Sequence, residues 1–255
     1  MKLENSVFLI AGAGSGLGAA VARMAVAAGA RAVLLDINPE AGAALAVELG
    51  EASHFVRTDV TNADDGVAGV RAATDTFGRV DVLVNCAGVA PGEKIVGREG
   101  PHDLESFAKT VTINLIGTFN MLRLAANEMA KQPIGENGER GVIINTASVA
   151  AYEGQIGQAG YAASKGGVSS LTLPAARELA RHAIRVMAIA PGIFETPMMS
   201  GMPQEVQDAL GASVPFPPRL GRPAEYAALV RHIVENPMLN GEVIRLDGAL
   251  RMPPR

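Results

Sequence analysis

The chain has 255 residues, 48% of them apolar, and a formal net charge of −4 at neutral pH. That length can bury a large core as one α/β unit, and the acidic balance argues against nucleic-acid and anionic-membrane surfaces, which select basic patches. A single cysteine, Cys86, excludes an intrachain disulfide, and four histidines (His54, His102, His182, His232) show no ligand spacing, so no metal is expected.

The start, MKLENSVFLIAGAG, lacks the basic leader and long apolar run of a signal peptide. No stretch approaches the ~18 apolar residues of a membrane-spanning helix. The expectation is a cytoplasmic protein with no membrane segment. VFLIA (7–11) reads as the first strand. Leu17, Ala20, Val21, Met24, Ala25 and Ala28 recur at helical spacing, and Gly29 ends that helix. RAVLLD (31–36) is a second strand, and Pro39 to Leu49 a helix stopped by Gly50. HFVRTDV (54–60) reads as a third strand, with Asn62 capping the helix that follows to Phe77. VDVLVNCAG (80–88) is a fourth.

The charged, Gly-rich stretch PGEKIVGREGP (91–101) reads as a solvated loop. Phe107, Val111, Leu115, Leu122 and Met129 mark one stripe of a long helix, and KQPIGENGERG (131–141) a polar surface loop. GVIINTA (141–147) is a fifth strand. A helix begins in GQAGYAASKGG (157–167), with Val168, Leu171, Ala175 and Leu179 on one face and Pro174 predicting a kink. IRVMAIAPG (184–192), a helix over 224–235 and EVIRLDG (242–248) complete the pattern. Continuous apolar strands alternating with helices predict a doubly wound parallel sheet of six or seven strands in one domain over 1–255. Only 4% of residues are aromatic and none is Trp, so Ala, Val, Leu and Ile must form the core.

The first strand runs into Gly12-Ala13-Gly14-Ser15-Gly16-Leu17-Gly18. Glycines at a strand–helix turn let the backbone approach a pyrophosphate, which the helix N-terminus then holds; a turn that merely packs helix on strand is the alternative. Asp36, 18 residues after Gly18, is close to the ~20 expected for a ribose-binding carboxylate. It would repel a 2′-phosphate, and no Lys or Arg adjoins it, so NAD is expected over NADP; a strand-end cap is the other reading. Asp59, Val60, Asn85, Cys86, Ala87 and Gly88 end the next two strands, where such sheets bind ligands. Asp59 is a candidate for the adenine amine, Cys86 for a backbone contact only.

Tyr161 and Lys165 stand four apart, on one face of a helix. Ser148 ends the preceding strand and Asn114 lies in the long helix. In this order the Gly-rich turn, N-x-A-G at 85–88, Asn114, Ser148, Y-x-x-x-K at 161–165 and Pro191-Gly192 with Thr196 resemble the short-chain dehydrogenase/reductase family over nearly the whole chain. Two departures are Ala11, where the family usually has Thr, and Cys86 in place of a second Asn. The segments at 140–167, 214–221 and 235–252 resemble the branch acting on 3-hydroxyacyl-CoA, which overlaps with 17β-hydroxysteroid dehydrogenases.

The resemblance implies a Rossmann-type fold, NAD, oxidation of an S-3-hydroxyacyl-CoA and a homotetramer. It makes Tyr161 the base, its pKa lowered from ~10 by Lys165. Lys165 would also hold the nicotinamide ribose, Ser148 the substrate oxygen, and Asn114 a water linking Lys165 to solvent. Thr196 is a candidate for the carboxamide and Phe194 for the ring. Gln155 and Gln158 either border the acyl or thioester group or are ordinary loop polars. A steroid or other secondary-alcohol dehydrogenase, and a non-catalytic NAD-binding scaffold, are the competing readings.

Overall fold

Asn38 and Pro39 open a helix and Gly50 closes it, and the structure shows why. The Asn38 side chain accepts from the N–H groups of Glu40 and Ala41, and Gly50 adopts φ 65°. The same local logic places most elements in this computed structural model, which describes residues 1–135 and 137–254, without the side chains of Met198 and Ser200.

Seven parallel strands form one sheet in the order β3-β2-β1-β4-β5-β6-β7. They are β1 (Val7–Ala11), β2 (Arg31–Asp36), β3 (Ser53–Arg57), β4 (Val82–Asn85), β5 (Gly141–Thr146), β6 (Ile184–Pro191) and β7 (Val243–Leu246). Strand residues alternate between two cores. Phe8, Ile10, Leu34, Val84 and Ile144 pack against α1 (Gly16–Ala27), α2 (Pro39–Leu49) and α10 (Pro223–Glu235). Leu9, Val33, Leu35, Leu83 and Ile143 face α3 (Ala63–Phe77), α5 (Gly117–Met129) and α7 (Ala159–Leu179). The sheet is therefore covered on both faces, as its continuous apolar strands require. Strand order reverses between β1 and β4, which opens a crevice at their carboxyl ends.

Several boundaries differ from the sequence reading. The third strand stops at Arg57 rather than 60; the Asp59 side chain takes the N–H and hydroxyl of Thr61 and turns the chain out of the sheet. The fourth stops at Asn85, before Cys86-Ala87-Gly88. The long helix is α4 (Leu104–Val111), a π-helical turn at Thr112–Ile116, and then α5. Pro174 lies inside α7, which stays helical over 21 residues. Three short helices were not anticipated: α6 (Ala150–Glu153), α8 (Pro197–Ser200) and α9 (Gln204–Ala212).

Candidate active site

A cleft of about 1190 Å³ lies along the carboxyl ends of the strands. At one end is the glycine turn. The N–H groups of Gly12 and Ala13 both donate to the Leu35 carbonyl, fastening the turn to β2. Gly14 N–H donates to Asp36 Oδ2 at 2.7 Å. This bond braces the loop from β2. The Asp36 carboxylate also accepts from Asn38 N–H at 2.9 Å, so the strand-end cap and a ligand-facing role coexist in one side chain.

The N-terminus of α1 differs from its neighbours. Asn38, Asn62 and Asp103 cap α2, α3 and α4 with side-chain oxygens, whereas Ser15 makes no side-chain cap on α1. The first turn of α1 also holds no acidic residue. Its free N–H groups and positive dipole end face the cleft at Ser15, Gly16, Leu17 and Gly18. That donor set fits a diphosphate. Together with Asp36 it fits a dinucleotide lacking a 2′-phosphate.

Asp59, Val60, Cys86, Ala87 and Gly88 line the same cleft. Asn85 does not. It lies 3% exposed beneath the floor, its Nδ2 donating to Asn145 Oδ1 at 2.9 Å and its carbonyl accepting the Thr146 hydroxyl at 2.5 Å. A polar residue on a strand end was read as facing the cleft; alternation along β4 turns it to the other side. Desolvation pushes the Cys86 thiol up, which favours its protonated form. Past β6, Pro191, Gly192, Phe194 and Thr196 also line the cleft. A Cβ on Gly16 would lie 3.4 Å from the Thr196 side chain, so this segment folds back over the glycine turn.

Ser148, Tyr161 and Lys165 meet at the other end. Ser148 Oγ accepts from Ala150 N–H at 3.1 Å, leaving its proton for Tyr161, with which it hydrogen-bonds. Burial raises the Tyr161 pKa above 10, and the Ser148 bond opposes this. Lys165 was expected to lower it. Instead Lys165 Nζ donates to the Thr146 carbonyl at 2.7 Å and sits 5.9 Å from the Tyr161 ring centre. Burial brings Lys165 down to about 8. In the protein alone, desolvation outweighs any cation effect on the phenol.

Asn114 is fully buried in the π-helical turn, not solvent-facing. Its Oδ1 accepts from Val89 N–H, and its Nδ2 donates to the Val89 carbonyl and to Ser164 Oγ, at 2.8, 2.8 and 3.0 Å. A Cβ on Gly88 would lie 3.0 Å from Asn114 Oδ1 and 3.5 Å from Lys165 Nζ. Asn114 thus clamps the loop after β4 against α7, next to Lys165 but outside the cleft wall.

Sequence reasoning passed over Thr146 and Tyr226. The Tyr226 and Thr146 hydroxyls lie 2.7 Å apart, and Thr146 donates to the Asn85 carbonyl, so Tyr226 is the donor to Thr146. This buried chain fixes the end of β5, whose carbonyl holds Lys165. The signal was present: Tyr226 is one of only three tyrosines.

Lys165 gives a stability prediction. Unfolded, it holds its proton up to about 10.5; folded, only to about 8. Between these values the unfolded chain binds more protons, so stability rises with pH through that window. Below pH 8 the fold carries the full cost of the buried cation, on the order of 3 kcal/mol. Lys165→Met is expected to raise the urea midpoint at pH 7, with a gain that shrinks by pH 10. A gain equal at both pH values would show that packing, not charge, is responsible.

A glycine turn on an uncapped helix, an acidic residue ending β2 and a Ser–Tyr–Lys set define a nucleotide-linked oxidoreductase site on a doubly wound sheet. The chain belongs to the short-chain dehydrogenase family, whose model matches residues 6–207. It is 54% identical to the 3-hydroxyacyl-CoA dehydrogenase type-2 of Bos taurus over 255 residues, 99% of this chain and 98% of that protein. Identity to the Homo sapiens protein of the same description is also 54%, with the same coverage. The crystal structure of 3-hydroxyacyl-CoA dehydrogenase type-2 from Mycobacterium avium matches at TM-score 0.94 and 44% identity, covering 98% of this chain and 97% of that one.

Proposed function

We propose that the chain oxidises an S-3-hydroxyacyl-CoA to the 3-oxoacyl-CoA with NAD, reversibly. The carrying observation is that one cleft joins the uncapped α1 N-terminus and Asp36 to Ser148, Tyr161 and Lys165. The choice of acyl-CoA is supported by the descriptions of the relatives at 54% identity.

NAD, when bound, accepts the hydride. The residues of the chain do the rest. The free N–H groups of α1 hold the diphosphate and Asp36 accepts from the ribose hydroxyls. Ser148 Oγ donates to the substrate oxygen and orients it toward Tyr161. Tyr161 Oη takes the hydroxyl proton. A half-buried phenol with a raised pKa is a poor base by itself, so it must work with positive charge at hand. Lys165, protonated below about pH 8, supplies that charge from the same helix face. Asn114 keeps Val89 and α7 in register so that Lys165 stays seated on the Thr146 carbonyl. A homotetramer in the cytoplasm belongs to the same proposal; the open space beyond Gly166 on α7 leaves a small-residue face for a second copy.

The test is kcat/KM for acetoacetyl-CoA reduction with NADH and with NADPH, beside 17β-hydroxysteroid oxidation with NAD. Acyl-CoA turnover preferring NADH is expected. Steroid turnover alone selects the alternative enzyme, and no turnover with intact NADH binding selects the scaffold. Asp36→Ala is expected to raise the NADPH-to-NADH ratio of kcat/KM at least tenfold. It also weakens NADH binding, because Gly14 N–H loses its acceptor. An unchanged ratio would remove Asp36 from cofactor choice.

A further inference from the structure

The end of the chain is fastened across the substrate end of the cleft. Glu153, closing α6, is the hub. Its carboxylate takes a bidentate pair from Arg245 at 2.8 and 3.1 Å. It also accepts from the backbone N–H of Met252 at 3.0 Å and pairs with Arg251 at 3.4 Å. Such forked Arg–carboxylate pairs fix both position and direction. Arg245 in turn donates to the Leu250 carbonyl and to Asp247.

Beyond Met252 the attachment continues. Gln155 Nε2 donates to the Pro253 carbonyl at 3.1 Å, and Ile156 N–H donates to the Pro254 carbonyl at 3.0 Å. At its root, Gly248 has φ 59°, and a Cβ there would lie 2.5 Å from Val214 Cγ1. The strap 248–254 is therefore pinned both to the loop leading into Tyr161 and to the segment after α9. Met252 is the strap residue that lines the cleft, which Gln155, Met199, Met202 and Leu210 also line. Methionine side chains adapt to varied apolar shapes, but each still fills volume.

We infer that Met252 is a specificity-determining residue, limiting the bulk of the apolar group carried on the 3-carbon of the substrate, and that Glu153 is the positioning residue that holds it there. The inference rests on the acyl-CoA reading. Among the described residues the Glu153 carboxylate is the partner of Met252 N–H, so it sets the position of this part of the strap, with Gln155 and Ile156 holding the residues beyond. Glu153 is kept ionised by Arg245, which holds it below the usual carboxylate range.

The experiment compares wild type, Met252→Phe and Glu153→Gln on 3-oxoacyl-CoA substrates of four to ten carbons with NADH. Met252→Phe is expected to lower kcat/KM at least tenfold on the ten-carbon substrate and less than twofold on the four-carbon one. Glu153→Gln is expected to weaken discrimination by length, leave the KM for NADH unchanged, and speed amide exchange at Met252 and Ile156 at least tenfold. Equal losses at every length, or unchanged exchange in Glu153→Gln, would overturn the inference. If wild type reduces no acyl-CoA, the acyl-CoA reading fails instead, and the variants are read on 2-alkanones of the same lengths, where the same length dependence is expected. A wild type inactive on both series overturns both.

Discussion

Tyr161→Phe is expected to lower kcat for the alcohol–ketone interconversion by roughly three to four orders of magnitude, the range a positioned acid–base group contributes at its upper end. That corresponds to about 4–5 kcal/mol of transition-state stabilisation. The ring remains, so packing on α7 and the Lys165 seat on Thr146 persist. Only the hydroxyl that meets Ser148 is lost. NADH affinity, read by fluorescence titration, is therefore expected to stay within about twofold, and KM for the acyl-CoA to change little, because the interaction removed is made in the transition state. Ser148→Ala removes a hydrogen bond rather than the proton acceptor, and a smaller loss is expected. If Tyr161→Phe kept more than a tenth of wild-type kcat, another group would be moving the proton and the assignment would fall. Loss of NADH binding along with turnover would instead show that the phenol holds the cofactor rather than the substrate proton.

Local chemistry made the first half of the fold readable. The spans Val7–Ala11, Arg31–Asp36 and Pro39–Leu49 stand where the residues place them, because a continuous apolar run, an Asn-Pro start and a glycine stop are all local signals. The third strand was overextended because Thr58 to Val60 look β-prone, whereas the hydrogen bonds of Asp59 to Thr61 bend the chain away. The π-helical turn carrying Asn114 was not legible. An extra residue in a helical turn leaves the apolar stripe almost intact, and its cause is tertiary: Asn114 reaches across to Val89 and Ser164. That reach puts Asn114 behind the cleft wall, and alternation along β4 puts Asn85 there, while Ser148, Tyr161 and Lys165 line it. The strap at 248–254 was not legible: the resemblance over 235–252 covers part of it but says nothing of its fastening, since its partners Glu153 and Gln155 are about 100 residues away in sequence. Burial, too, reversed a charge argument. A Lys four residues from a Tyr predicts a lowered phenol, but desolvation acts on both groups and neither sequence spacing nor charge count reports it.

Gly18→Ala is expected to have the largest effect on the fold. A Cβ there would lie 2.1 Å from the Gly12 carbonyl oxygen, 2.8 Å from the Gly12 carbonyl carbon and 3.1 Å from the Ala13 Cα. All three atoms are backbone, so no rotamer change relieves the clash; α1 must move off β1. That separation would open the buried contact of Ala19 and Ala22 with the first core and would pull the Gly12 and Ala13 N–H groups from Leu35. A loss of at least about 3 kcal/mol is expected in urea unfolding, within the range of severe overpacking. NADH affinity is expected to fall more than tenfold, because the free N–H groups of α1 no longer converge on one point. Gly92→Ala is the control: no atom lies within 4 Å of its Cβ, and its φ needs no glycine. It is expected to change stability by less than about 0.5 kcal/mol. The two readouts separate two roles of the turn. If Gly18→Ala kept its urea midpoint but lost NADH binding, the third glycine would serve the ligand alone. If it lost stability while NADH bound normally to the folded fraction, its role would be helix packing alone. The geometry requires both losses together, since the atom that Gly18 leaves room for belongs to the first glycine of the turn itself.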